Sequence, residues 1–192
     1  VALGYEIAGS MQEAQLLIET EHDAVIADHV RRGGRLLLLA GKEGSLNPFF
    51  PHWQNVRVQS REGTLWRGDW ASSFAWLRRG RAFGHIPGGP LLDETFDRVL
   101  PRHVISGCNL LDFQGRVYAG LVVGWIHRPT ALLVERAYGK GRLVATTFRL
   151  FRDEPGADPT ATQLLDAMVA LGAGPARHTE NLKPELEALG AG

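Results

Sequence analysis

The chain has 192 residues, 44% apolar and 22% charged, and its 21 basic and 21 acidic side chains leave no net charge. That suits one sizeable globular domain and excludes a global electrostatic pull towards nucleic acid or an anionic membrane surface. No stretch approaches the ~20 apolar residues of a membrane span, and a single cysteine, Cys108, excludes an internal disulfide and any multi-cysteine metal site.

One cysteine fits a reducing compartment, so a cytoplasmic location is expected. The start, Val1-Ala-Leu-Gly-Tyr-Glu-Ile, has no initiator Met, no basic leader region and no signal-like apolar region. It reads as a fragment that begins inside a longer polypeptide.

Gln15 to Glu19 is a short apolar piece, of which Leu16 to Glu19 is expected as a strand. Thr20 is the expected cap of a following helix, with Asp23 in its first turn, and Ala24, Val25, Ile26, Ala27 and Val30 supply a partly amphipathic face ending at Gly33-Gly34. The unbroken run Arg35-Leu-Leu-Leu-Leu-Ala40 follows at once. Helix, glycine pair and buried strand predict an α/β unit with a parallel sheet.

Between Gly41 and Arg102 lies a loop-rich insertion with Pro48, Pro51, Pro87, Pro90 and Pro101 and with four of the five tryptophans, Trp53, Trp66, Trp70 and Trp76. Asn55 to Gln59 is its one expected strand. Trp70 to Arg79 is expected to form a short helix, as is the Asp93, Glu94, Asp97 cluster. The aromatics read either as a satellite core beneath the loops or as a binding surface, since loops on a rigid scaffold carry specificity.

His103 to Ser106 resumes the strand pattern. Three apolar runs then follow, Val117 to Ile126, Ala131 to Val134 and Leu143 to Thr147, separated by His127-Arg128-Pro129 and by Tyr138-Gly139-Lys140-Gly141. The second breaker predicts a hairpin, adding an antiparallel pair at one edge or end of a sheet whose parallel part takes in Leu16 to Glu19, Leu36 to Ala40 and His103 to Ser106. Asp158-Pro159 opens a helix with Ala161, Leu164, Leu165, Met168 and Leu171 on one face and Gly172 at its end. The domain is expected over 1–174, with 41–102 as the insertion, and the Gly- and Pro-rich residues 175–192 as a linker or strap.

Few residues invite catalysis. A nucleophilic cysteine needs a tight strand-to-helix elbow beside backbone N–H groups that hold an oxyanion. In Ile105-Ser-Gly-Cys108-Asn-Leu110 no helix signal follows. The histidines (His22, His29, His52, His85, His103, His127, His178) form no metal-binding spacing, so neither metal nor cofactor is expected. Gly139-Lys-Gly141 joins two strands and Gly84-His-Ile-Pro-Gly-Gly-Pro90 matches no phosphate-binding fingerprint. Asp93, Glu94 and Asp97 share one element and cannot flank a glycosidic bond. Arg78, Arg79 and Arg81 lack any nucleic-acid reader motif.

Several segments together carry a resemblance: Gly33-Gly-Arg-Leu-Leu-Leu-Leu39, Asp69-Trp-Ala-Ser-Ser-Phe-Ala-Trp76, His85-Ile-Pro-Gly-Gly-Pro-Leu91, Gly124-Trp-Ile-His127, Tyr138-Gly-Lys-Gly-Arg-Leu-Val-Ala-Thr-Thr-Phe-Arg-Leu150 and Asp158-Pro-Thr-Ala-Thr-Gln-Leu-Leu-Asp166. Over about residues 15 to 172 the chain resembles the class I glutamine amidotransferase-like domain near the C-terminus of some glycoside hydrolase family 2 enzymes, the β-galactosidase and β-glucuronidase relatives. The resemblance implies a flavodoxin-like three-layer α/β sandwich with a mixed, mostly parallel sheet and an antiparallel hairpin near its C-terminal part. It also implies no catalytic residue in this chain, because Cys108 departs from the amidotransferase elbow, with the family's acid and nucleophile in a separate barrel.

Two functions are therefore expected. One is a non-catalytic accessory domain whose partner is the catalytic domain of a parent glycosidase or a second copy of the chain. The other is a carbohydrate-binding or residual hydrolase module using Trp53, Trp66, Trp70, Trp76 and His85, because aromatic faces suit the apolar faces of sugars. No nucleic-acid or membrane partner is expected.

Overall fold

The computed structural model describes residues 4–50, 56–67, 73–80, 82–107, 116–124 and 130–174. Numbered along the chain, the strands are β1 (Leu17–Glu19), β2 (Arg35–Leu39), β3 (Gly44–Ser45), β4 (Arg57–Ser60), β5 (Phe74–Leu77), β6 (His103–Ser106), β7 (Val117–Val122), β8 (Ala131–Tyr138) and β9 (Gly141–Thr146). The helices among the described residues are α1 (Ala24–Arg31) and α2 (Pro159–Ala173), with single 3-10 turns at Leu65–Arg67 and Glu94–Phe96.

The nine strands among the described residues join one mixed sheet, in the order β1-β2-β9-β8-β6-β4-β3, with β7 also paired to β8 and β5 to β7. That double use of β8 curls the sheet. Among the described residues only β1–β2 and β2–β9 are parallel; the other ladders there are antiparallel. The result is a mixed α/β fold rich in sheet and poor in helix.

The run Leu36-Leu-Leu38 is continuously apolar because β2 is covered on both faces. Leu37 packs into a core with Leu164, Leu165 and Met168 of α2, while Leu36 and Leu38 join a second core with Ala27 and Val30 of α1. Strand β9 behaves alike, Val144 facing α2, Leu143 and Ala145 facing α1. Side chains alternate across a strand, so a strand sandwiched between helices has no polar side to show.

The hairpin at Gly139-Lys140 forms as expected, with Tyr138 opposite Gly141, but it lies at the centre of the sheet rather than at an edge. It is locked beneath α1: Lys140 N–H donates to Arg31 O at 2.9 Å and Arg142 N–H to Gly34 O at 3.1 Å. Gly139 has φ +59°, and a Cβ on Gly141 would stand 2.0 Å from Val30 O. The glycines thus serve both the turn and the close approach of α1.

Helix α2 begins as its sequence predicts, Asp158 accepting from Thr160 N (2.9 Å) and Ala161 N (3.2 Å) with Pro159 in the first turn. Its last carbonyls are taken by two arginines reaching across from the sheet, Arg142 Nη1 donating to Leu171 O at 2.6 Å and Arg35 Nη1 to Ala173 O. Those carbonyls have no partner within the helix.

Other expectations need correction. Asp23, not Thr20, caps α1, accepting from Ile26 N at 2.8 Å; the helix starts at Ala24, leaving Thr20 out of reach. In place of a helix over Trp70 to Arg79, Phe74–Leu77 is strand β5, with Ala75 and Leu77 buried and Phe74 and Trp76 more open. Trp70, Phe74 and Leu77 fit helical spacing equally well, and pairing with β7 decides the outcome. The acidic cluster makes only a 3-10 turn, capped by Asp93 onto Thr95 N at 3.0 Å. The expected strand at Asn55 to Gln59 appears as Arg57–Ser60. His103 to Ser106 is not parallel-paired: both its neighbours, β4 and β8, run antiparallel to it. The expected linker at 175–192 lies outside the described residues.

Candidate functional site

The most enclosed ionisable groups lie between the sheet and α2. Glu135 on β8 and Arg142 on β9 are 3% and 4% exposed. The Glu135 carboxylate accepts from Arg142 Nε at 3.2 Å and from the Tyr118 hydroxyl at 2.7 Å, and Arg142 reaches on to the end of α2. Burial first, opposed by the Glu135 charge, holds Arg142 below the ordinary arginine range. A buried acid beside a buried base can resemble catalytic machinery, but these groups are consumed by one another and by a helix end. They tie α2 to the sheet.

An open crevice of about 510 Å³ lies elsewhere, at the carboxyl ends of the parallel strands, between Thr20 after β1, Leu39 and Gly41 at the end of β2, and Thr147 to Arg152 after β9, with Arg102 and His103 along its side. Its position follows from the topology. Beyond β2 the chain passes to the α1 face, where Leu46, Phe49 and Phe50 are buried. Beyond β9 it passes to the α2 face, where Phe148 and Leu150 are buried. Two neighbouring parallel strands whose exits part to opposite faces leave a gap between them, the usual place for a ligand in open α/β sheets.

The polar side chains of the crevice are Thr20, Thr147, His103, Arg102, Arg149 and Arg152. Arg149 is fixed by its Nε donating to Leu100 O at 2.6 Å and its Nη2 to Asp97 O at 3.0 Å. Burial, and after it the charges of Arg152 and Arg102, keep it below the ordinary arginine range. Volume and shape are adequate for a small molecule, and the lining carries three guanidinium groups and no carboxylate.

The residues expected to meet a sugar are dispersed. Trp66 is 7% exposed and belongs to the α2-side core. Trp76 is half-buried, its ring lying where a Cβ on Gly120 would stand 2.7 Å away. His85 is exposed, in a loop held by Arg79, which donates to Ile86 O (2.6 Å), Gly89 O (2.7 Å) and Pro87 O (3.0 Å). That bracing occupies the middle arginine of the Arg78, Arg79, Arg81 group. Trp53, Trp70, Arg81, Cys108 and His127 lie outside the described residues.

Among the described residues no group of three or more His, Cys, Asp or Glu side chains could hold a metal ion, and no helix is long and apolar enough to cross a membrane. Neither a family model nor a curated protein matches this chain. Sequence reading missed the crevice because Arg102, Arg149 and Arg152 form no motif; the available signal was two strand ends, Gly41 and Thr147, whose following segments are apolar on different faces.

Proposed function

We propose that the chain is a non-catalytic accessory domain of a glycoside hydrolase family 2 enzyme, of flavodoxin-like, amidotransferase-related descent, packing against the catalytic part of its parent or supporting oligomerisation. One observation carries this reading. Three of the segments that bear the resemblance, 33–39, 138–150 and 158–166, supply strand β2, the β8–β9 turn with β9, and the first half of α2. They are framework, and the buried ionisable groups within that framework bind each other and the end of α2. A scaffold whose buried charges among the described residues, Glu135 and Arg142, are employed in holding it together suits a supporting role.

The purified chain is expected to release no product from aryl β-galactosides, aryl β-glucuronides or glutamine. Hydrolysis that disappears on substituting a crevice residue would overturn the proposal. The coding sequence upstream of Val1 supplies an independent check, since a family 2 barrel is expected there. The rival reading, a carbohydrate-binding or residual hydrolase module, predicts instead a change in tryptophan fluorescence on titration with oligosaccharides.

A further inference from the structure

We propose that the crevice at the ends of β1, β2 and β9 binds a small organic phosphate, its phosphoryl group held by Arg102, Arg149 and Arg152 and its organic part lying on Leu39 and Phe151. The inference goes beyond the accessory reading and does not depend on it.

Three features point to it. The crevice gathers three guanidinium groups without a balancing carboxylate: among the described residues, no acid lies within 4.0 Å of Arg102 or Arg152. Two nearby acids are otherwise engaged: Asp153 pairs with Arg98, and Asp158 caps α2 and meets Arg98 Nε at 3.4 Å. Asp153, Glu154 and Asp158 border a small adjoining cavity of about 10 Å³ that shares Arg149 and Arg152 with the crevice, but none of them lines the crevice itself. Like charges brought together repel unless an anion neutralises them, and Arg149, the half-buried one of the three, feels this most.

The second feature is rigidity. Arg149 spends two of its N–H donors on the carbonyls of Leu100 and Asp97; a guanidinium has five in all, so the remainder are presented in a fixed direction. Arginine forks of this kind match phosphoryl oxygens, and a phosphate dianion suits several guanidiniums better than a carboxylate with one charge and two oxygens. Third, the floor is apolar. Leu39 is half-buried, and Phe151, next to Arg152 in sequence, is 48% exposed. An exposed aromatic ring beside a cationic pocket offers a surface for an organic group that inorganic phosphate lacks.

The test is titration of the whole chain with phenyl phosphate, inorganic phosphate, benzoate and phenol, followed by calorimetry and by the backbone amide resonances of residues 147–152. Phenyl phosphate is expected to bind most tightly, to weaken as salt is raised, and to shift those resonances. Arg102→Gln and Arg152→Gln replace exposed side chains and should leave the fold intact while each weakens binding by about tenfold. The amide shifts report on the unaltered protein and stand even if a variant misfolds. The proposal is overturned if phenyl phosphate causes no shift at about 10 mM, a weak-binding limit, if benzoate binds as well, if inorganic phosphate binds equally tightly, or if Arg102→Gln and Arg152→Gln both retain full affinity.

Discussion

Glu135 and Arg142 are useful to one another mainly because neither can be left alone. Removing two charges from water costs several kcal/mol each, and their attraction recovers this only with good geometry and further hydrogen bonds. Here the Tyr118 hydroxyl and the Leu171 carbonyl provide them. Glu135→Ala, which strands a buried guanidinium, is expected to cost about 3–5 kcal/mol, whereas Tyr118→Phe should cost about 1–2 kcal/mol; urea unfolding of the two variants measures both. Tyr5 presents a pH-dependent case. Burial, helped by its hydrogen bond to Asp166, pushes its phenol up to about 12 from 10.0. The folded state therefore holds this proton more tightly than the unfolded chain, so the contribution is complete below pH 10 and is lost as pH rises towards 12. Phenolate absorbance should lose a late-titrating component in Tyr5→Phe; an alkaline titration curve left unchanged by that substitution would refute this. The Tyr5–Asp166 partnership could not be read from the chain, since the two residues are 161 positions apart.

Among elements, the β8–β9 hairpin carries the clearest link from residue type to packing. Gly139-Lys-Gly announces a turn in the sequence, yet the need for glycine at Gly141 comes from α1, whose Val30 and neighbouring Gly34 carbonyls would lie 2.0 and 2.2 Å from an added Cβ. Gly141→Ala should lower stability by about 3 kcal/mol, a fall in Tm of about 10 °C for a chain of this size. Gly44→Ala, with nothing within 4 Å of the new methyl group, should change Tm little; equal effects at the two positions would show that backbone freedom, not the contact with α1, matters. Helix α2 was legible from end to end because its signals are local: Asp158, Pro159 and a stripe of apolar residues. Strand β5 was not, because its apolar spacing fits either period and its partner β7 lies more than forty residues away in sequence.

Across the whole molecule, stability should be graded from the centre outwards. Strands β2, β8 and β9 are covered by two cores, while β1 and β3 are short edges of three and two residues. Hydrogen exchange should accordingly be slowest in β2, β8 and β9 and fast in β1 and β3, because local opening is least costly where few apolar contacts are lost. Uniform protection across the sheet would contradict this picture. The crevice belongs to this scale as well. Arg102 precedes β6 and Arg149 and Arg152 follow β9; they meet because β6 pairs with β8 only at the start of β8, Ile105 opposite Ala131, which brings the beginning of β6 level with the end of β9, where Thr146 stands opposite Leu133.

The sequence by itself determined the local pieces: a capped α2, the buried run of β2, the turn of the central hairpin, and the even charge. These depend on neighbours a few residues apart, through caps, turn residues and apolar period. Tertiary structure alone decided the order of strands, the central place of the hairpin, the closure of Glu135 onto Arg142, and the gathering of three arginines at one sheet end. Those depend on which distant strands pair and on which face each loop takes, and a mixed sheet offers many pairings of nearly equal local quality until its two cores select one.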